Sequence, residues 1–217
     1  MQKQEWTGST ADIANNIGGL YEGNLRHYLK VVFEAPNVHN GYHGFRHMTH
    51  VTWVVYMACV YYKDRLTERQ MRNLLIAALF HDYDHTGVKG PDAVNIARAI
   101  AALWIHILPE DVLYIHEITA IMEVTMYPHE GDAENFTLEQ RIMRDADMSQ
   151  AFEPAWIGEI VFGYGSELGI PPVQMLQNQL AFLEDLHFLT SFGEEKYGEQ
   201  AISAKRAETY ELLHILQ

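Results

Sequence analysis

Apolar residues along this chain recur mostly at spacings of three and four, and few runs alternate with period two, so the pattern predicts helices and little strand. Helices are expected over about 12–34, 46–63, 67–82, 91–107 and 110–127, with shorter ones near 138–146 and 150–163. The segment GIPPVQ opens another, because Pro171 and Pro172 suit a first turn, where no intrahelical bond needs their missing amide proton. A last helix is expected over about 194–215. Two polar stretches, APNVHNGYHGF and YPHEGDAENF, read as loops. The chain shows no internal repeat, low-complexity tract or linker, and the reading is a single all-α domain over 1–217.

The segments HMTHVTWVVYMACVYY and MRNLLIAALFHD are successive helices joined by KDRLTERQ, and a short connection makes them antiparallel neighbours. The start of the first, at His47, is thereby brought near the end of the second, at His81 and Asp82. An adjacent imidazole and carboxylate after the apolar run LLIAALF should be deeply buried, which is costly without compensation. A divalent cation would compensate both. Imidazole and carboxylate together suit Zn²⁺, Mn²⁺ or Fe²⁺, and a bridging carboxylate suits a second, harder ion such as Mg²⁺. The bland alternative is an exposed polar helix end. Further on, IMRDADMSQ offers Asp145 and Asp147, about 200° apart on a helix. Their apolar neighbours Ile142, Met143 and Ala146 leave open which one faces inward.

Composition narrows the function classes. Hydrophobic residues at 48% and charged ones at 20% describe a chain able to bury a core. Twenty-nine acids against 15 bases give a formal charge of −14, which opposes binding to a phosphate backbone, so no long nucleic acid is expected as partner. A small phosphorylated substrate remains compatible, because a bound divalent ion reverses the local field. The longest apolar run, Val51 to Tyr62, is too short for a bilayer span, which needs about 20 residues. The polar start MQKQEWTGSTAD lacks the apolar core of a secretory signal, and the one cysteine, Cys59, has no internal partner. These features lead to the expectation of a cytoplasmic enzyme without a membrane partner.

The order His47, His81-Asp82, Asp147 resembles the H…HD…D pattern of the HD superfamily of metal-dependent phosphohydrolases. More narrowly, YHGFRHMTHV, IAALFHDYDHTGV and DADMS are similar to three blocks of the catalytic domain of class I cyclic-nucleotide phosphodiesterases, and QNQLAFLEDL is more weakly similar to a fourth. The resemblance runs from about 42 to 186. It implies an HD-type helical bundle with its metal site between central helices, and it makes Asp147, rather than Asp145, the fourth ligand beside His47, His81 and Asp82. It further implies two divalent metals: Zn²⁺, Mn²⁺ or Fe²⁺ at the first site, Mg²⁺ or Mn²⁺ at the second, with Asp82 bridging. His43 matches the family's proton donor to the departing 3′ oxygen, and His85 its second motif histidine, near the bridging water. Gln179 and Phe182 match the glutamine and phenylalanine that grip a purine, although Phe182, Leu183, Leu186 and Leu189 also read as a core stripe. The activity implied is hydrolysis of a 3′,5′-cyclic nucleotide to a 5′-monophosphate.

Several positions depart from the family pattern. Its asparagine after the first histidine is Gly44 here, its aspartate in HxxDV is His50, and Gly90 stands where an amide side chain is usual. The glutamate that orients the donor histidine would fall near Asn95, which carries no charge. Three other readings compete. Related HD enzymes hydrolyse linear nucleoside mono- or triphosphates with the same four ligands. HD-type di-iron oxygenases need extra histidines; His106, His116 and His129 come in the right order, but the corresponding segments present Asn95 and Thr125, which are expected to support the site from behind. A binding protein with a degenerate site is the third.

Overall fold

The computed structural model describes residues 8–129 and 133–216; the amino-terminal residues 1–7 and residues 130–132 of the second polar loop lie outside them. Among the described residues there are helices and no strand. The hairpin expected from the apolar pattern is present as α3 (Phe45–Tyr61) and α4 (Glu68–Phe80), which pack against each other. Thr67 caps α4, its hydroxyl accepting from the Gln70 amide while the Gln70 side chain accepts from the Thr67 amide. Every residue from Met71 to Phe80 is buried, so beyond its first turn α4 has no solvent face and forms the centre of the molecule. Around it lie α2 (Arg26–Phe33), α3, α5 (Asp92–His106), α6 (Ile115–Glu123) and α7 (Leu138–Asp147). Burying Arg72 on such a helix needs a partner. Asp111, fully buried, accepts from Arg72 Nε and Nη2 at 2.7 Å each, from Arg69 Nη1 at 2.6 Å and from the Tyr28 hydroxyl at 2.6 Å.

The continuous helix expected over 12–34 is two helices, α1 (Thr10–Asn15) and α2. Asn16 takes a left-handed backbone, φ 52°, and its side chain accepts from the Leu20 amide at 2.8 Å and donates to the Gly23 carbonyl at 2.9 Å. An asparagine that satisfies the backbone outside the helix, followed by Gly18-Gly19, stops what the apolar spacing alone continues. The segment 110–127 likewise begins with a 3₁₀ turn at Val112–Tyr114 before α6. The stretch 150–163 is a 3₁₀ helix, Met148–Phe152, then a π-helix, Ile157–Tyr164, which runs into the short α8 (Gly165–Leu168). Pro171 caps and Pro172 begins α9 (Pro172–Asp185). The last expected helix is broken at Gly198 into α10 (Ser191–Tyr197) and α11 (Glu199–Leu216).

Two apolar clusters result. The larger surrounds α4; the smaller, with Trp156, Ile160, Met175, Leu176 and Leu213, joins the π-helix, α9 and α11. The loop before α3 bridges them: a Cβ on Gly163 of the π-helix would overlap the Gly41 carbonyl, so the two backbones touch. No helix among the described residues is long and apolar enough to cross a membrane.

Candidate metal centre

The start of α3, the end of α4 and the end of α7 meet at one point. His47 Nε2 lies 3.3 Å from His81 Nε2, 3.3 Å from Asp82 Oδ2 and 3.1 Å from Asp147 Oδ1. His81 Nε2 lies 3.2 Å from Asp82 Oδ2 and 3.4 Å from Asp147 Oδ1. Ligand atoms around one ion with bonds of about 2.0–2.2 Å are roughly 3.0–3.5 Å apart, so this spacing fits a single divalent cation. The remaining ring nitrogens are turned away: His81 Nδ1 donates to the Ala78 carbonyl at 2.9 Å, and His47 Nδ1 faces Gln150 Oε1 at 3.4 Å. That arrangement leaves both Nε2 lone pairs directed at the same point. Asp82 Oδ2 is buried and has no hydrogen bond, an arrangement a cation would repay. Burial pushes the carboxyl pKa values upward, but His81 and His43 for Asp82, and His47 and His81 for Asp147, hold both well below the ordinary carboxylate range. His81 moves the other way: burial opposes its charge, and Asp82 and Asp147 raise it.

Asp145 and Asp147 separate as the helix requires. Asp145 points away from the cluster and accepts from the amides of Leu189 and Thr190 at 2.8 and 2.9 Å and from the Thr190 hydroxyl at 2.6 Å. Burial raises its pKa to about 6 despite those bonds.

His43 sits beside the quartet with its ring 6.1 Å from that of His47. Its Nδ1 donates to Glu167 Oε2 at 2.6 Å, and Glu167 Oε1 accepts from the amides of Tyr42 and His43 at 2.6 and 3.1 Å. The carboxylate that orients His43 is therefore Glu167, from α8, and not a residue near position 95. No sequence motif marked it; its contact spans 124 residues and depends on the π-helix carrying α8 against the loop. Burial works against a charged His43, while Asp82 and Glu167 outweigh it and raise its pKa. Asn95 has a different partner: its amide lies 2.8 Å from His85 Nε2, and its Oδ1 accepts from the Thr86 amide at 3.1 Å. Gly87 N–H donates to Nδ1 at 3.0 Å, which places the proton of a neutral His85 on Nε2, the nitrogen that faces the Asn95 amide group. The His85 ring stacks on His43, centroids 3.7 Å apart, and burial, with the neighbouring His43, lowers its pKa to about 4. A ring whose charge is disfavoured therefore backs one whose charge its neighbours favour.

These groups open into a cavity of about 730 Å³, within the range of small-molecule sites. Gln179 lines it, 4% exposed, its Nε2 buried without a hydrogen bond. Phe182 also lines it, and at the same time packs on both apolar clusters, so the cavity and core readings of this ring coexist. Thr125 lies in the wall with its hydroxyl donating to the Met122 carbonyl at 2.9 Å. Of the three spare histidines, His129 reaches the cavity, against Met148 Sδ at 3.3 Å. His106 and His116 do not line it; His116 packs edge-on against Trp104.

Residues 42–143, just under half of the chain, match the family model described as 3′5′-cyclic nucleotide phosphodiesterase. No curated protein matches significantly. Among solved structures, that of LmjPDEB1 from Leishmania in complex with IBMX superposes with a TM-score of 0.64 over 94% of this chain and 85% of that one, at 16% identity. At that identity the likeness is one of fold. The chain is thus close to the catalytic domains of class I cyclic-nucleotide phosphodiesterases and shares their all-helical architecture.

Proposed function

We propose that this chain hydrolyses the phosphodiester of a 3′,5′-cyclic nucleotide to a 5′-monophosphate, with His47, His81, Asp82 and Asp147 as the residues that would hold a divalent ion and a second ion beside it. Zn²⁺, Mn²⁺ or Fe²⁺ suits the first position and Mg²⁺ or Mn²⁺ the second. The observation that carries the reading is the pairing of this quartet with an oriented, charge-favoured imidazole, His43, on the rim of the same cavity. Bound there, such ions would acidify water and draw charge from the phosphoryl oxygens.

The chain's own residues supply the rest. Water adds to phosphorus as the bond to O3′ breaks, and an alkoxide is a poor leaving group unless it receives a proton. His43, with Nδ1–H committed to Glu167, presents Nε2–H for that transfer. His85 fixes the plane of the His43 ring by stacking and, being neutral, does not itself serve as the donor. Asn95 holds His85 in place, and Thr125 forms part of the wall near the ligands. Gln179 offers an unpaired amide to the edge of a base, and Phe182 a ring to its face.

The test is turnover of cyclic AMP, cyclic GMP and a panel of linear nucleotides in Mn²⁺ and Mg²⁺, by the wild type and by Asp82→Ala. Release of a 5′-monophosphate from a cyclic substrate, lost in the variant, supports the reading. Turnover restricted to linear nucleotides would replace the substrate class, and equal rates in both proteins would remove the site.

A further inference from the structure

Resting on the reading of His43 as proton donor, we propose that Asn37 is a positioning residue that latches the donor loop to the metal-bearing turn. Asn37 precedes α3 by eight residues and is 3% exposed. Its Nδ2 donates to the His43 carbonyl at 2.6 Å and to the Asp82 carbonyl at 2.7 Å, and its Oδ1 accepts from the Asp84 amide at 2.8 Å. One buried side chain thus ties the residue that holds the proton to the residue that holds the ion, using both amide hydrogens and one oxygen lone pair.

The turn it grips is not one the backbone adopts freely. Asp84 has φ 61°, a left-handed conformation unfavourable for a residue with a Cβ, and such geometry persists only when surrounding bonds over-determine it. Asn37 supplies one of those bonds. Arg98 supplies two more, Nε to the Asp84 carbonyl and Nη2 to its carboxylate, each at 2.8 Å. Asn40, three residues after Asn37, repeats the device, donating to the His85 carbonyl at 3.0 Å. It packs so closely that a Cβ on Gly87 would lie 2.7 Å from its Nδ2. Glu167 sets the orientation of the His43 ring, whereas Asn37 sets where the backbone of residue 43 stands relative to the cation ligands. A displacement of about 1 Å at a reacting group costs on the order of 10²-fold in rate, so this registration decides activity.

The measurement compares two substrates. A cyclic nucleotide needs a proton on its departing alkoxide, whereas bis(p-nitrophenyl) phosphate expels a stable phenolate and does not. Asn37→Ala should lower kcat on the cyclic substrate at least tenfold more than on the nitrophenyl ester, with KM changed less than threefold. In the metal-free protein the same variant should lose hydrogen-exchange protection over residues 37–44 and 82–87. Asn37→Asp, which keeps the size and the bond to the Asp84 amide but sets a carboxylate against two carbonyls, should behave alike; it serves if the alanine variant does not fold. Asn40→Ala should show the same selectivity with a smaller loss. Equal losses on the two substrates, or unchanged protection with full activity, would overturn the assignment. If the wild type hydrolyses the nitrophenyl ester but no cyclic nucleotide, the function proposed above fails instead, and the exchange data still decide whether Asn37 joins the two segments.

Discussion

Replacing Glu167 by glutamine keeps the length and planarity of the side chain and removes its charge. In the native protein that carboxylate accepts three hydrogen bonds, at 2.6, 2.6 and 3.1 Å, all from residues 42 and 43, and its side chain is 7% exposed. The glutamine oxygen can keep the two amide bonds, but its amino group then faces His43 Nδ1–H, so the protonated ring loses its acceptor and meets a second donor. A hydrogen bond to a charged group contributes about 1.5–3 kcal/mol, which corresponds to a fall of roughly 10- to 150-fold in kcat if the orientation acts wholly in the transition state. The pH dependence gives a second readout. The donor works while His43 is protonated, and Asp82 and Glu167 raise its pKa against the effect of burial. Activity should therefore persist above the ordinary imidazole value and fall as pH rises through the raised one. Removing the Glu167 charge lowers the His43 pKa, so the alkaline limb of the kcat profile should move to lower pH in Glu167→Gln. Steady-state kinetics from pH 5.5 to about 9.5 in Mg²⁺, with circular dichroism to verify folding, make the comparison. An alkaline limb that stays in place while kcat falls would mean that Glu167 only braces the loop. An unchanged kcat and limb would remove His43 from the mechanism.

Three further outcomes follow from the geometry. Mn²⁺ at 100 times its Kd should stabilise the wild type by about 2.7 kcal/mol, seen as a rise in Tm, and Asp82→Ala should abolish that rise. Asp111→Ala removes the one carboxylate shared by Arg69, Arg72 and Tyr28 and should cost about 3–5 kcal/mol in urea unfolding, because the buried Arg72 charge loses its counter-charge and keeps only the Glu22 and Asn24 carbonyls on Nη1; a loss under 1 kcal/mol would contradict that account. Gly163→Ala forces the π-helix from the Gly41 carbonyl and should reduce turnover of the cyclic substrate together with stability, whereas Gly90→Ala, where a Cβ meets nothing within 4 Å, should leave stability within about 0.5 kcal/mol.

The hairpin of α3 and α4 was legible in the chain because a buried helix pair and its short connection leave a strong apolar signal, and the placement of His47 opposite His81 follows from that pairing alone. The choice between Asp145 and Asp147 was not legible from periodicity, since both have apolar neighbours; Asp145 proves to be consumed by Leu189 and Thr190, on a segment whose approach no local pattern announces. The break at Asn16 was hidden for a related reason: apolar spacing continues across it, and the side-chain bonds that stop the helix form with residues further along. Glu167 and Asn37 were missed because each acts through carbonyls, amides and a ring contributed by other segments. A glutamate in GSELGI and an asparagine in a polar loop look alike in sequence whether or not they serve a site.

The two apolar clusters divide the labour of the cavity. The four candidate ion ligands stand on or just past the ends of helices of the larger cluster, whereas the amino-terminal half of α9, which leads to Gln179, is seated through Met175 and Leu176 on the smaller one with the π-helix and α11. Changes in Met175, Leu176 or Leu213 would tilt the base-facing wall without disturbing the ion. Base preference could therefore drift during descent while the hydrolytic chemistry stayed intact, within the one limit that α8 rides on that same movable wall and must keep its carboxylate on the donor.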